Sequence, residues 1–254
     1  MTIHYQIYGE GEPVVLVHGW AMHSGIWRDF AEQLAQTRRV VCVDLPGHGL
    51  SAEMPEFTLE SVCEQLSRIV DSKACWIGWS LGGSVALAMA KFFPDAVSSV
   101  VLLASNPCFV ENADWPGMPE NQLDLFAENL CADCESTLLR FLSLQINGLP
   151  EFKKLSKKLS AALRESRMPT AKTLQDGLAV LKQADLRPAL AELRLPVAAM
   201  LGEKDTLVPV RIGEAMQAIN PDLHLSVIKN AGHAPFLSHR PELIESLNEF
   251  LAQP

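Results

Sequence analysis

The sequence Trp76-Ile77-Gly78-Trp79-Ser80-Leu81-Gly82-Gly83 stands between two segments of different character. Residues 74–77 form an apolar run typical of a buried strand, and residues 84–92 have the composition of a helix. The pattern G-x-S-x-G between them is typical of a tight strand-to-helix turn that exposes one serine hydroxyl at the edge of a sheet. Glycines are needed there because the turn brings neighbouring backbones together. An ordinary turn that happens to contain a serine is the alternative interpretation.

Strand-like and helix-like segments alternate on both sides of this turn. The continuous, largely β-branched run at residues 14–17 is typical of a strand buried on both faces, and the largely apolar segments at residues 40–43 and 97–104 indicate further strands. This alternation predicts an α/β fold, with a mostly parallel central sheet and helices on both of its faces. The alternating segment at residues 3–9 and the glycine-rich turn at residues 9–13 predict a hairpin between the first two strands.

The alternation stops after residue 105, and no strand-like run occurs up to about residue 185. Four helix-like segments follow one another instead, at residues 123–130, 136–144, 151–166 and 170–184. The strand pattern then resumes at residues 196–201 and 223–228. We therefore expect a helical cap inserted into the α/β core, with core segments at residues 1–109 and 188–254 around a cap at residues 110–187.

Charge and composition exclude several classes of protein. The formal net charge of −9 argues against a nucleic-acid partner, which usually requires a basic surface. Residues 1–5 lack the basic and apolar regions of a signal peptide, and no apolar run reaches the roughly 18 residues of a membrane span, so we expect a cytoplasmic protein without a membrane partner. Cys131 and Cys134 have the spacing C-x-x-C, but no second ligand pair accompanies them. We expect neither a metal nor another cofactor.

Three residues that each follow a predicted strand have the chemistry needed to activate a serine. A serine hydroxyl becomes a good nucleophile only when a base lies within hydrogen-bond reach and an acid orients that base. Ser80, Asp205 and His233 occur along the chain in the order serine, acid, histidine. Since parallel strands end at the same edge of a sheet, we expect these three side chains to meet there.

Other residues compete for the same roles. His224 lies within a predicted strand and His239 near a helix start, so both are weaker candidates for the base than the loop residue His233. Asp222 lies in a turn, where aspartate commonly caps the backbone, and Asp185 lies at the exit of the helical insertion. Asp205 therefore remains the preferred acid.

Attack by a serine on an acyl group creates an oxyanion, which needs N–H donors that are already in place. One donor is expected from Leu81, the residue after the serine. The second is expected from Trp20, in the sequence His18-Gly19-Trp20 that follows an early strand. The Trp20 indole is also placed to form a wall of the acyl site, and ordinary packing is the alternative for that ring. His18 is expected to brace the loop.

The chain resembles the α/β-hydrolase superfamily over its full length. The resemblance rests on five motifs: His18-Gly19, Asp44-x-Pro46-Gly47-His48-Gly49-x-Ser51, Gly78-x-Ser80-x-Gly82-Gly83, Gly202-x-x-Asp205 and Gly232-His233. More closely, the chain resembles the carboxylesterases of biotin synthesis that cleave the methyl ester of pimeloyl-[acyl-carrier protein]. The stretches Ser105-Asn106-Pro107-Cys108-Phe109 and Arg140-Phe141-Leu142-Ser143-Leu144-Gln145 carry that closer resemblance, because the hydrolase fold does not require them.

The resemblance implies roles for particular residues. Ser80, Asp205 and His233 would be catalytic. The residues that would line the substrate site are Trp20, Leu81, Phe141, Leu142, Ser143, Leu144 and Gln145. The implied partner is an acyl carrier protein bearing the substrate, and small esters are expected as further substrates. We also expect a monomer.

The predicted cap is basic although the whole chain is acidic. Between Arg140 and Lys172 there are eight basic residues and only two acidic ones. The resemblance implies an acyl carrier protein as partner, and such carriers are expected to be strongly acidic. A basic cap would therefore attract one. A solvated lysine face is the alternative. The candidate docking residues are Arg140, Lys153, Lys154, Lys157 and Lys158, of which the four lysines are expected to share one helix face.

The triad alone does not select the substrate. A broad short-chain carboxylesterase, a thioesterase and a carbon–carbon bond hydrolase are alternatives that would use the same three residues. A ligand-binding module that retains the fold without catalysis is a further alternative, and a missing triad residue would be its signature. All three triad residues are present in this sequence.

Overall fold

The computed structural model describes residues 2–146 and 149–252, apart from the side chains of residues 131 and 132. Within these residues one seven-stranded sheet has the order β1-β3-β2-β4-β5-β6-β7, and it is parallel except for the pair β1 and β3. The strands are β1 (Tyr5–Tyr8), β2 (Pro13–Val17), β3 (Arg39–Val43), β4 (Ala74–Trp79), β5 (Val97–Leu103), β6 (Val197–Gly202) and β7 (His224–Ile228). The predicted α/β fold with a mostly parallel sheet is confirmed.

Helices connect the strands and cover the sheet. Those of the core are α1 (Arg28–Leu34), α2 (Leu59–Leu66), α3 (Leu81–Phe92), α8 (Arg187–Glu192), α9 (Arg211–Ile219), α10 (Pro235–Ser238) and α11 (Arg240–Leu251), with short 3₁₀ helices at Ser24–Trp27 and Pro94–Ala96. Between β5 and α8 the chain forms α4 (Glu120–Ala132), α5 (Cys134–Gln145), α6 (Phe152–Arg164) and α7 (Ala171–Gln183). Helices α8 and α10 were not anticipated, because so few residues show no helical periodicity.

The predicted hairpin between the first two strands is wrong. Strand β1 pairs antiparallel with β3, where Tyr5 lies opposite Val43, while β2 lies between β3 and β4 and is parallel to both. The apolar strand β2 is buried, so it takes a central place with a neighbour on each side. The turn that follows β1 crosses the end of α1. Gly9 has φ +65° there, and a Cβ on this residue would collide with the carbonyl oxygen of Ala35.

The helices α4 to α7 lie over the edge at which β2 and β4 end. Helix α6 contacts the loop after β2 through the His23 imidazole, whose Nε2 lies 2.6 Å from the Ala162 carbonyl oxygen. Helix α7 contacts the same loop, since the Trp20 indole N–H donates to the Leu174 carbonyl at 2.8 Å. Helices thus occupy the region where the sequence predicts a cap, and the boundaries of that cap as a unit stay a prediction.

Buried polar groups hold the loops after β2 and β3 together. His18 Nε2 lies 3.0 Å from the Leu45 backbone N–H, and His18 Nδ1 lies 2.8 Å from the Gly19 carbonyl oxygen. Because Leu45 donates to Nε2, the imidazole proton belongs on Nδ1, which donates to Gly19. The Asp44 carboxylate accepts the Ser24 N–H at 2.6 Å. His18 therefore braces the loop that leads to Trp20.

Burial holds two imidazoles of this network in the neutral form. It lowers the pKa of His18 to about 3, with a further contribution from the charge of nearby His48. Burial likewise lowers the pKa of His48 to about 4. Both side chains are fully buried, and a charged imidazole there would lose its hydration. The folded protein consequently resists protonation at two positions that the unfolded chain protonates readily.

We predict that the free energy of unfolding falls as the pH drops from about 6.5 toward about 4. Unfolded histidines take up protons near pH 6.5, whereas His18 and His48 do so only near 3 and 4, so the unfolded state binds more protons in this range. Each histidine adds a slope of up to about 1.4 kcal/mol per pH unit. Urea unfolding between about pH 4.5 and 7.5 measures this slope. Carboxylates such as Asp44 are largely ionised throughout this range, so they contribute little to it.

The variant His48→Asn removes one of the two titrating groups and should reduce the slope by roughly half. Above about pH 7 its stability curve should run parallel to that of the unchanged protein, because neither histidine titrates there. An unaltered slope in the variant would contradict the assignment of a depressed pKa to His48.

Candidate active site

Ser80 occupies a strained turn between β4 and α3. Its φ of 54° and ψ of −119° lie in a region that residues with a Cβ rarely adopt. The glycines around it make the turn sterically possible, because a Cβ on Gly78 would collide with the Gly82 carbonyl. The loop after β2 lies against the serine, and a Cβ on Gly19 would sit 3.2 Å from that of Ser80. The turn expected from the motif is thus present.

Asp205 and His233 form a buried hydrogen-bonded pair. Asp205 Oδ2 lies 2.7 Å from His233 Nδ1. The other carboxylate oxygen accepts the backbone N–H groups of Leu207 at 2.8 Å and Val208 at 3.0 Å. Since an ionised carboxylate only accepts hydrogen bonds, Nδ1 carries the proton of a neutral His233 and Nε2 keeps its lone pair. The ring is therefore set up to take a proton at Nε2.

Two contacts fix the backbone of His233. Its carbonyl oxygen accepts the indole N–H of Trp79 at 2.7 Å, and its N–H donates to the Gln145 carbonyl at 3.0 Å. Trp79 immediately precedes Ser80, so the first contact ties the histidine loop to the serine turn. His233 Nε2 is buried and has no hydrogen-bond partner among the described residues. This nitrogen is therefore free to accept a proton or a hydrogen bond from a bound group.

The two expected N–H donors belong to segments that adjoin the serine. Leu81 is the first residue of α3, so no carbonyl of its own helix satisfies its N–H. Trp20 follows Gly19 in the loop against Ser80, and its indole N–H donates to the carbonyl of Leu174 in α7. The edge of the Trp20 ring also meets Phe141 of α5, with centroids 4.9 Å apart and planes at 87°. Helix α5 thus contributes an aromatic side chain that packs against the Trp20 ring.

The site is covered in this structure. Only 5% of Ser80, 7% of Asp205 and 1% of His233 is exposed. Little of each of these three residues is therefore open to solvent in this structure.

The cap residues 141–145 do not share one environment. Phe141, Leu142 and Gln145 are buried, whereas an outer groove of about 690 Å³ between α4 and α5 is lined in part by Arg140, Ser143 and Leu144. Helical geometry separates them, because neighbouring residues on a helix are rotated by about 100° and only those three or four apart share a face. The structure therefore brings Phe141 and Gln145 toward the serine and histidine loops and places Ser143 and Leu144 on the outer face.

Two of the four cap lysines are already paired. Lys154 Nζ lies 3.0 Å from a Glu151 carboxylate oxygen, and Lys158 Nζ lies 3.1 Å from Asp29 Oδ2 on the core. Among the residues that the structure describes, no ion-pair partner within 4.0 Å is found for Lys153 and Lys157. Both of these side chains are exposed. They carry most of the uncompensated charge on α6.

The described side chains include no group of three or more His, Cys, Asp or Glu residues arranged to hold a metal ion. In the predicted cysteine pair, the Cys131 side chain lies outside the described residues, while Cys134 begins α5 and is half-buried. Within the same part of the chain, no helix combines the length and the apolar character that crossing a bilayer demands.

Gly177 marks a contact that the sequence analysis missed. This residue lies inside α7, and a Cβ there would sit 2.7 Å from Cδ1 of Trp20. A glycine inside a helix is unfavourable by itself, so it often indicates a close approach of another group. That signal was available in the sequence, although it does not reveal which residue approaches.

A family model for the alpha/beta hydrolase fold matches residues 12–240. The chain belongs to the α/β-hydrolase family.

Within that family, several relatives that share the same name match the chain over nearly its whole length. A pimeloyl-[acyl-carrier protein] methyl ester esterase from Methylococcus capsulatus is 41% identical over 252 residues, which are 99% of each chain. An esterase of the same name from Nitrosomonas europaea is 40% identical and covers 96% of this chain and 97% of its own. Among solved structures, an esterase from Exiguobacterium antarcticum has a TM-score of 0.88 at 23% identity, covering 99% of this chain and 96% of its own, and so shares the fold.

We predict that Gly177→Ala destabilises the protein, although glycine to alanine within a helix normally adds about 1 kcal/mol of stability. The new methyl group would press on the Trp20 ring, which the Leu174 carbonyl holds in place, and overpacking of this kind costs about 1–3 kcal/mol. Urea unfolding followed by tryptophan fluorescence measures the change in stability.

Gly213→Ala in α9 is the matched control. Its Cβ would approach the methyl ends of Leu225, which is half-buried and can rotate away. This variant should be neutral or slightly stabilised. If Gly177→Ala gains as much stability as the control, α7 does not press on Trp20 as described.

Proposed function

We propose that this protein is a serine carboxylesterase that hydrolyses the methyl ester of pimeloyl-[acyl-carrier protein] to methanol and the free pimeloyl-[acyl-carrier protein], as a step of biotin synthesis. The observation that carries the reaction type is the 2.7 Å bond from Asp205 to His233, combined with the strained Ser80 turn tied to the same loop. The relatives of that name, similar over nearly the whole chain, support the substrate.

In the first half of the reaction, Ser80 Oγ attacks the carbonyl carbon of the methyl ester and His233 Nε2 takes the serine proton. Asp205 stabilises the imidazolium that results and keeps the ring in its tautomer. The oxyanion of the tetrahedral intermediate accepts hydrogen bonds from the backbone N–H groups of Leu81 and Trp20. When the intermediate collapses, the bond to the methoxy oxygen breaks. His233 protonates this oxygen, and methanol leaves.

In the second half, a water molecule attacks the acyl group on Ser80 while His233 Nε2 takes one of its protons. The bond from the acyl carbon to Ser80 Oγ then breaks, and the proton returns from His233 to the serine. The product is a free carboxylate. The covered site favours these steps, because hydrogen bonds to developing charge are stronger where bulk water is excluded.

The cap supplies the proposed contact with the carrier protein. The exposed residues Lys153 and Lys157 present positive charge on α6, and Arg140 adds to it on the outer face of α5. An acidic carrier protein would be attracted to these charges in a salt-dependent way. We further propose that residues 110–187 act as the cap, and that the protein works as a cytoplasmic monomer which also accepts small esters.

We predict that Ser80→Ala and Asp205→Asn each reduce kcat for a small ester by roughly 10⁴-fold, because the first removes the nucleophile and the second disturbs the tautomer of His233. Asp222→Asn is the matched control, since its carboxylate lies in a surface turn, and it should retain the original rate. Esterase assays with p-nitrophenyl butyrate, run beside melting curves, measure these effects. Full activity in folded Ser80→Ala would sink the proposal.

We predict that the double variant Lys153→Glu/Lys157→Glu lowers kcat/KM for pimeloyl-[acyl-carrier protein] methyl ester by about 10-fold or more at low ionic strength. Its rate with p-nitrophenyl butyrate should stay within about 2-fold, because the charges lie away from the serine. The control Lys73→Glu/Lys229→Glu makes the same change in net charge on the core. Equal losses in the two double variants would point to net charge alone and exclude this docking face.

A further inference from the structure

Two hydrogen bonds to the Ser80 carbonyl oxygen fix the peptide unit between Ser80 and Leu81. The Ser80 carbonyl oxygen accepts the hydroxyl of Ser105 at 2.6 Å and the backbone N–H of Gly83 at 2.9 Å. The Gly83 bond is local to the turn. The Ser105 bond comes from the neighbouring strand, 25 residues further along the chain.

The end of β5 is shaped to place this hydroxyl. Ala104 has φ 44°, an unusual value for a residue with a Cβ, and it turns the chain just before Ser105. The N–H of Ala104 still donates to Met200 of β6 at 2.9 Å, so the turn is anchored in the sheet. The N–H of Ser80 also bonds to this segment, donating to the Leu103 carbonyl at 3.1 Å. Both backbone polar groups of the serine are thus bound to the end of β5.

The space for the Ser105 hydroxyl exists because residue 83 is glycine. A Cβ on Gly83 would collide with Ser105 Oγ. Ser105 is completely buried. Without the Ser80 carbonyl, its hydroxyl could not form a replacement hydrogen bond to solvent. The second glycine of the sequence Gly82-Gly83 therefore accommodates a side chain from another strand.

We propose that Ser105 is a positioning residue that aims the Leu81 N–H at the oxyanion. The inference rests on the proposed function, in which Ser80 is the nucleophile and Leu81 supplies an oxyanion donor. A peptide bond is planar, and its C=O and N–H point in opposite directions. A bond that fixes the Ser80 carbonyl therefore fixes the direction of the Leu81 N–H, the other end of the same unit.

Two physical effects follow from this bond. The strained backbone of Ser80 would otherwise relax by rotating this peptide, and rotation would turn the Leu81 N–H away from the substrate. A hydrogen bond to a peptide carbonyl also polarises the unit and makes its N–H a better donor. Both effects act on the transition state, where negative charge develops on the carbonyl oxygen, more strongly than on the bound ester.

The test compares Ser105→Ala with Ser51→Ala. Ser51 is also buried, and its hydroxyl donates to a backbone carbonyl, that of Asp44, at 2.7 Å. Both variants should lower Tm by a few degrees, roughly 2–6 °C. Ser105→Ala loses one hydrogen bond, and Ser51→Ala loses two, because the Ser51 hydroxyl also accepts the His4 backbone N–H at 2.8 Å. Only Ser105→Ala should lower kcat for p-nitrophenyl butyrate, by about 10–100-fold, with KM within about 2-fold, since loss of a whole oxyanion donor costs about 10²–10³.

Two further measurements separate positioning from a structural role. The affinity of Ser105→Ala for a phenylboronic acid, which forms a tetrahedral adduct with an active serine, should fall by the same factor as kcat. Ser105→Thr retains the hydroxyl and should recover most of the rate. Gly83→Ala keeps the serine at position 105 but would push its Cβ and hydroxyl away, so it should lower kcat at least as much even if Ser105→Ala does not fold.

The outcomes distinguish this inference from the proposed function. Unchanged kcat in Ser105→Ala or in Gly83→Ala, with only Tm lowered, overturns the positioning role and leaves Ser80 as the nucleophile. Equal loss of kcat in Ser51→Ala overturns it as well, because the effect would then be one of general stability. Activity that persists in Ser80→Ala instead removes the proposed function and this inference with it.

Discussion

The backbone of Ser80 is the constraint on which the site depends. A residue with a Cβ keeps φ at 54° only when its surroundings enforce that conformation. Here the enforcement comes from two directions. The missing Cβ atoms of Gly78 and Gly83 leave room for the turn and for the Ser105 hydroxyl, and the end of β5 binds both the N–H and the carbonyl of Ser80. The strained backbone of Ser80 is thus held in place by central strands of the sheet. Core strands are the parts of a protein that unfold locally least often.

The cap and the core share hydrogen bonds at the places where chemistry is proposed. The Gln145 carbonyl at the end of α5 accepts the N–H of His233, and the Leu174 carbonyl in α7 accepts the indole N–H of Trp20. A movement of these helices would therefore alter the histidine loop and the Trp20 ring together. Because these contacts join α5 and α7 to the loops of His233 and Trp20, the proposed entry of an acyl chain between these helices would also affect the alignment of the proposed base.

Several parts of this arrangement could be predicted from sequence, and particular residues show why others could not. Buried β-branched runs and the glycine pattern around Ser80 depend on local sterics, so they predicted the parallel sheet and the turn. The partner of β1 depends on which strand is left at the edge of the sheet, and the hairpin prediction failed for that reason. The outward position of Ser143 and the pairing of Lys158 with Asp29 depend on how α5 and α6 are rotated and seated. The contact of Ser105 with Ser80 requires the ends of two strands to be placed side by side, which no spacing within one motif reveals.

The structure of the protein after reaction with a methyl alkylphosphonofluoridate tests the central claim most directly, because the adduct resembles the tetrahedral intermediate. We predict a bond from phosphorus to Ser80 Oγ, with the phosphoryl oxygen at about 2.7–3.1 Å from the backbone nitrogens of both Leu81 and Trp20. The Ser105 hydroxyl should still donate to the Ser80 carbonyl in that adduct. A phosphoryl oxygen that points away from Leu81, or a Ser80–Leu81 peptide that is rotated, would contradict the account.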